Sequence, residues 1–247
     1  MSEVSAFKPR QLSATELHAK PSADYADKLA ITQALLQLAA TEFQPITQAS
    51  SLGAEDVVIT HLINALALDI PVFVLETGRL HTETLALLER TEAHSRAPVQ
   101  VYHPRHEAVI EFVRHKGQDA IYQSIDLRKE CCNIRKMEPL ARALEGKQAW
   151  ITGLRREQSN ARAAVELIDR SEARVKFNPL ADWTWGDVWH YIAENKVDYN
   201  PLHDQFFPSI GCAPCTRAIS LGEEFRSGRW WWEDEAAKEC GLHVRAS

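Results

Sequence analysis

Cysteine is scarce in this chain, five in 247 residues, about 2% and odd in number, too sparse for the disulfide scaffold of a secreted domain. Long hydrophobic runs are also absent. The most apolar stretch, Val57 to Leu75, is broken by His61, Asn64, Asp69 and Pro71, so it reads as a helix followed by a strand and not as a membrane span. Positive charge is in short supply: 28 Lys and Arg against 34 Asp and Glu leave a net charge of −6. That excludes a whole-molecule field that would gather nucleic acid or an anionic membrane, and any anionic ligand has to be met by a local patch. Met1 to Ser13 lack the apolar core of a secretory signal, so the cytoplasm is the expected compartment. With 45% apolar and 25% charged residues, 10 Gly and 11 Pro, the composition is that of a soluble globular protein and excludes disordered, collagen-like and mucin-like classes. The length suits one sizeable domain with an appendage.

The spacing of Leu29, Leu35, Leu36, Leu38 and Phe43 predicts an amphipathic helix from Asp24 to Phe43, after a loose polar arm over residues 1–23. Beyond Pro45 the pattern changes. Runs of strand length (Ile46 to Ser50, Pro71 to Leu75, Val99 to Tyr102, Ala149 to Thr152) alternate with helical segments at Asp56 to Leu68, Thr82 to Glu92, Glu107 to Lys116 and Asn133 to Leu144. The alternation predicts an α/β fold, a doubly wound, mainly parallel sheet with helices on both faces. Thr184 with Asp187 three residues on is a capping pattern for a further helix through Glu194. Residues 199–216 carry three Pro and one Gly and read as an ordered loop.

Chemistry concentrates in a few places. Between Arg128 and Arg162 nine basic residues face four acidic ones, a local +5 that leaves −11 for the remainder. Much of this is a solvated helix face, but Arg155, Arg156 and Arg162 follow a predicted strand. Ligands of doubly wound sheets bind there, so these residues suit an anionic substrate. Ser50, Ser51 and Gly53 lie between the first strand and its helix, where small residues let an anion approach backbone N–H groups. A helix-capping turn would look the same. Glu76, Thr77, Gly78 and Arg79 form a second loop at the end of the next strand.

Four of the five cysteines fall into two pairs, Cys131–Cys132 and Cys212-Ala-Pro-Cys215. They can make a four-thiolate site from two remote elements. Adjacent thiolates strain to ligate one tetrahedral zinc, whereas an iron–sulfur cluster offers them separate corners; structural zinc, a disulfide or an inert buried thiol are the competing readings. Cys240 stands apart in a tail with Gly241 and His243, either incidental or a nucleophile that the tail carries, its thiolate favoured by His243 or a basic pocket. The Trp230-Trp231-Trp232 run before it could anchor the tail or pack in the core.

Together Ser-Leu-Gly-Ala-Glu-Asp at 51–56, Glu-Thr-Gly-Arg-Leu at 76–80, Cys-Cys-Asn-Ile-Arg-Lys at 131–136, Thr-Gly-Leu-Arg-Arg-Glu-Gln-Ser at 152–159, Gly-Cys-Ala-Pro-Cys at 211–215 and Glu-Cys-Gly-Leu-His at 239–243 carry a resemblance. The chain resembles the assimilatory adenylyl-sulfate reductases, the iron–sulfur branch of the phosphosulfate reductases in the PP-loop superfamily, from about Ile46 to His243. The one departure is Glu76, where the family usually has Asp. The resemblance implies an adenine-nucleotide alpha-hydrolase-like fold with a nucleotide-binding reductase domain at 24–221 and a mobile C-terminal tail at 222–247. It implies adenosine 5′-phosphosulfate (APS) as substrate and one 4Fe-4S cluster held by Cys131, Cys132, Cys212 and Cys215. Cys240 would be the nucleophile, forming an S-sulfocysteine. Ser50, Ser51, Gly53, Glu76, Thr77, Gly78, Arg79, Lys136, Arg155, Arg156, Arg162 and His243 would be the substrate-binding set. With one spare cysteine, release of sulfite needs an outside dithiol, which the family draws from thioredoxin or a similar protein; no nucleic-acid or membrane partner is implied, and a homo-oligomer is compatible. The nearest alternative is 3′-phosphoadenosine 5′-phosphosulfate (PAPS) or dual use, although PAPS-specific members lack the paired cysteines. A tRNA sulfur-modifying PP-loop enzyme would carry a second glycine and a terminal serine where Ala54 and Val57 stand. A zinc-stabilised binding module is the non-enzymatic alternative.

Overall fold

The computed structural model describes residues 12–220 and 222–234; Cys240 and His243, the expected nucleophile and its neighbour, lie outside them. The strand β1 (Ile46–Ser50) is central, with β2 (Val72–Leu75) and β3 (Val99–Tyr102) on one side and β4 (Ala149–Ile151), β6 (Val175–Phe177) and β5 (Ile168–Asp169) on the other. All neighbours run parallel except the β5–β6 pair. Because the chain moves outward from β1 to β3 and then returns beside β1 as β4, the strand order reverses between β1 and β4. That is where an open α/β sheet leaves a crevice beyond the carboxyl ends of its strands.

Alternation along the strands serves two faces, since successive side chains point to opposite sides. Ile46, Val72, Val74, Ala149, Ile151 and Phe177 face the larger core, under α2 (Tyr25–Glu42), α3 (Ala54–Ala65), α4 (Thr82–His94) and α8 (Trp185–Asn195). Phe73 and Trp150 point the other way, onto Leu140, Ala143 and Leu144 at α7 (Glu138–Ala143). A third cluster at the carboxyl end of the sheet joins Phe112 of α5 (His106–Lys116), Ala120 and Ile121 to Cys131, Cys212, Cys215 and Trp230.

The four expected strands and the doubly wound arrangement are present, and three features differ from the sequence reading. First, β5 and β6 were not anticipated, because Val175-Lys176-Phe177 puts a lysine in the middle of a three-residue strand. Lys176 is buried there, its ammonium 5.0 Å from the Trp150 ring centroid. Second, the helix expected from Asn133 begins at Ile125. The Ser124 hydroxyl accepts from the Leu127 N–H and starts α6 (Ile125–Cys132), which passes through a π-helical turn (Asn133–Met137) into α7. Third, the arm is not loose over residues 12–23. The helix α1 (Ala14–His18) packs on α8 with Ala14 buried, and the Ala14 N–H donates to Asp204 Oδ1 at 2.7 Å. No helix among the described residues is long and apolar enough to cross a membrane.

Candidate active site

A cleft open to solvent sits over the crevice between β1 and β4. The ends of three strands and the turns beyond them line it: Ser50 of β1 with Ser51 and Gly53, Leu75 of β2 with Thr77, and Thr152 to Leu154 after β4. One part of the lining is apolar (Phe73, Leu75, Leu140 and Trp150), and Lys136, Arg226, Arg229 and Cys212 also line the cleft.

The loop after β1 is shaped by a carboxylate. Ser51 gives both its N–H and its hydroxyl to Asp56 Oδ2, each at 2.7 Å, so Ser51 fixes the loop and does not hold both donors open for a ligand. Burial pushes the Asp56 carboxyl up to about 6; the Ser51 bonds pull against this and neighbouring Glu55 adds to it. A side chain at Gly153 would collide with Asp56 and Glu55, which explains glycine at the point where β4 closes onto α3.

Two of the three expected arginines do not reach the cleft. Arg155 is 0% exposed; its guanidinium pairs with Glu55 at 2.9 Å and Glu157 at 2.8 Å and lies 5.3 Å from the Trp185 ring centroid. Burial alone would raise the Glu55 carboxyl, but Arg155 and the Gln158 amide together hold it below its ordinary value. Arg156 is tied to Asp182 and to the Val165 carbonyl. Arg162 lines the cleft, with one guanidinium N–H on Gln158 Oε1 at 2.7 Å. A hydrogen-bonded row from Glu55 through Gln158 to Arg162 thus braces the cleft.

The second loop divides its residues between two cavities. Thr77 faces the cleft, and its hydroxyl lies 3.2 Å from Cys212 Sγ while its carbonyl accepts from Arg135 at 2.6 Å. Arg79 lines the adjoining cavity and donates to the Gln118 carbonyl. Glu76 turns away, accepting from the Gly78 N–H at 2.7 Å and lying 3.1 Å from His103.

That adjoining, narrow cavity is lined by Cys131, Cys132, Cys212 and Cys215 with Arg79, Arg128, Arg135 and Lys136. The structure therefore brings the two remote cysteine pairs together. Among the described residues no three His, Cys, Asp or Glu side chains are placed to hold a metal ion between them; the thiols share a cavity wall instead. The Cys212–Cys215 turn is held by the Ala213 N–H on the Arg79 carbonyl at 2.8 Å and by the Trp230 N–H on the Cys215 carbonyl at 3.2 Å. Burial pushes the Cys215 thiol up to about 11, Cys212 adding to this and Lys136 and Arg229 opposing it; Cys131 is raised for the same first reason. Four thiols on an apolar wall ringed by cations are a donor set suited to an anionic metal–thiolate centre, which would displace those protons. Lys136 and Cys212 line both cavities.

Three cleft residues escaped the sequence reading. Arg226 and Arg229 flank Ser227-Gly228 just before the tryptophan run, a basic pair beside aromatics that could have been noticed. The Arg229 guanidinium lies 4.7 Å from the Trp230 ring centroid, Arg128 lies at the same distance, and Gly211 leaves the space that Arg229 occupies. His203 lines the cleft from the loop of residues 199–216, and a lone histidine in a proline-rich loop gives no sequence signal.

The phosphoadenosine phosphosulfate reductase domain model matches residues 45–218. A protein of Allochromatium vinosum named adenosine 5′-phosphosulfate reductase is 50% identical over 213 residues, covering 85% of this chain and 83% of its own. Another of that name from Burkholderia cepacia is 48% identical over 223 residues, 90% of this chain and 89% of its own. Among solved structures, the phosphate complex of phosphoadenylyl-sulfate reductase from Candida auris superposes with a TM-score of 0.64 at 26% identity, covering 81% of this chain and 98% of that one. An FMN adenylyltransferase of Candida glabrata, at a TM-score of 0.52 and 13% identity over 92% of this chain and 81% of its own, shares the fold.

Proposed function

The chain belongs to the phosphoadenosine phosphosulfate reductase domain family, and from that membership we propose that it reduces APS to sulfite and AMP in assimilatory sulfate reduction. The observation that carries the reading is the meeting of the cleft and the thiol cavity at Lys136 and Cys212. A nucleotide seated over the switch point would point its anionic end at the thiols. APS is preferred to PAPS because the relatives similar over most of both chains are named for APS and because the paired cysteines are present.

In this reading the apolar part of the lining takes the adenine, and Lys136, Arg226 and Arg229 take the phosphosulfate, with Arg162 toward the β1 loop. Thr77, Ser50, Ser51 and Gly53 shape the turns at the strand ends, while Arg155 acts one step back by holding Glu55. The expected mobile tail of residues 222–247 is packed on the body over 222–234, where Trp230 is buried and Glu233 pairs with Arg128, so the Cys240 thiolate that attacks the sulfate sulfur is carried by the chain beyond Asp234. A sulfur–sulfur bond forms as the sulfur–oxygen bond to the phosphate breaks, and AMP leaves with that electron pair. Fixed cations around the peripheral oxygens lower the barrier, because negative charge gathers there in the transition state. An external dithiol, thioredoxin or a protein like it, then attacks Cys240 Sγ and expels sulfite. Its second thiol frees Cys240, and the partner leaves as a disulfide having supplied both electrons. Cys131, Cys132, Cys212 and Cys215 would hold a 4Fe-4S cluster. Such a cluster would tie the two cysteine segments together and give Lys136 a fixed electrostatic neighbour. A cytoplasmic setting belongs to the same proposal.

An anaerobic sulfite-release assay with APS and PAPS side by side, with thioredoxin as reductant, tests it. Sulfite from APS with little from PAPS is expected; release from PAPS alone would overturn the substrate assignment.

A further inference from the structure

Arg229 brings a nearly buried cation to the cleft. It is 6% exposed, its Nε is sealed without a hydrogen-bond partner, and among the described residues no carboxylate pairs with it. Arg128 carries the same charge over the same indole, each guanidinium 4.7 Å from the Trp230 ring centroid, but the Glu233 carboxylate meets Arg128 at 2.6 Å. Of the two, only Arg229 keeps its charge for a ligand. A long side chain with no ion pair to aim it needs another means of orientation, because rotamers left free must be frozen when the ligand binds, at a cost in affinity.

Two residues supply that orientation. A Cβ on Gly211 would overlap both terminal nitrogens and the central carbon of the Arg229 guanidinium, and these are the three atoms nearest to it. Gly211 is not among the glycines with positive φ, so what it contributes is space. Trp230 contributes the aromatic face that attracts the guanidinium. Both residues are tied to the turn that carries Cys212 and Cys215. The Gly211 N–H donates to Thr216 Oγ1 at 3.1 Å, Thr216 forms an antiparallel bridge with Arg229, and the Trp230 N–H donates to the Cys215 carbonyl at 3.2 Å. Trp230 is held there with φ at 41°, a left-handed conformation that costs a bulky residue free energy and clusters at functional sites.

We infer that Gly211 and Trp230 are positioning residues, forming a slot that aims the Arg229 guanidinium at the anionic end of the substrate. The inference rests on the APS-reductase reading and deepens it, by making substrate affinity depend on the backbone of the cysteine turn. Gly211→Ala presses on Arg229 first, Trp230→Leu removes the aromatic face, and Trp230→Phe keeps a smaller one. If both residues act through Arg229, their effects vanish once Arg229 is replaced by Ala; a general loosening of the fold would persist.

Calorimetric titration of the full chain with APS and with adenosine, in a Cys240→Ser background that keeps APS intact, reads this coupling. Gly211→Ala and Trp230→Leu should each weaken APS by about tenfold or more, the scale of one charge-assisted hydrogen bond, with adenosine unchanged and a smaller loss in Trp230→Phe. With Arg229→Ala already present, neither substitution should change APS affinity by more than about twofold, the limit of additivity for uncoupled sites. Gly211→Ala carries the same test where Trp230→Leu does not fold. No loss in Gly211→Ala, losses that fall equally on adenosine, or losses that persist in full without Arg229 would overturn the inference and leave the reductase reading standing. APS bound no tighter than adenosine by the Cys240→Ser chain would overturn both.

Discussion

Asp56 shows how a single residue can be committed to a site at a cost to the fold. Its carboxyl accepts from the Ser51 N–H and hydroxyl, yet burial holds its pKa at about 6 against an ordinary 3.8. Because the folded state keeps the proton that the unfolded chain has already lost, the penalty is absent below about pH 4 and complete above about pH 6, amounting to about 3 kcal/mol. Asp56→Asn keeps one carbonyl acceptor for Ser51 and removes the titration. The variant's stability relative to the wild type, read by urea denaturation, should therefore rise between pH 4 and pH 7; a difference that stays flat would contradict the assignment. The motif at 51–56 was legible, but the division of labour inside it was not, since only the folded geometry shows Ser51 bonded to Asp56. Arg155 teaches the same lesson. Its position after a strand suggested a phosphosulfate contact, whereas its guanidinium lies buried against Glu55. From sequence an arginine reads as a charge, and its direction depends on the acid that α3 brings beneath it.

Elements with strong local signals were legible, and those that depend on distant partners were not. The helix α8 belongs to the first kind. The Thr184 hydroxyl accepts from the Asp187 N–H at 3.0 Å and Asp187 Oδ2 accepts from the Thr184 N–H at 2.8 Å, the expected reciprocal cap. Thr184→Ala should lower stability by about 1 kcal/mol, measured as a drop in the urea midpoint with an unchanged slope; an unchanged midpoint would show that Asp187 and the packed arm carry the cap alone. The strands β5 and β6 belong to the second kind, being short and completed only by pairing in the sheet. So does α6. Its polar run Asp126 to Glu130 gives little apolar periodicity, and its place is set by Arg128, which reaches Glu233 with bonds of 2.9 and 2.6 Å. That ion pair ties the first cysteine segment to the chain just beyond Trp230–Trp232. The π-turn that follows carries Lys136 to the boundary of the two cavities; π-turns are frequent at functional sites.

At the scale of the whole molecule, a doubly wound sheet supplies the cleft and a separate cluster at its carboxyl end supplies the thiols. The pairing of Cys131–Cys132 with Cys212–Cys215 spans most of the carboxyl half of the chain. The proposed cluster should thus couple metal content to the union of these segments. Replacing any one of the four by Ser should abolish brown colour and lower iron from about four per chain, as expected of a four-cysteine site; a zinc-loaded, colourless wild type would contradict this. The reaction itself is sulfur transfer to the fifth cysteine. Its most direct measurement is intact-mass and peptide analysis of the full chain after anaerobic incubation with APS and no dithiol. The account predicts one added sulfonate per chain, on Cys240, released as sulfite when thioredoxin is added and absent in Cys240→Ser. Turnover by Cys240→Ser, or an adduct on any other residue, would contradict it.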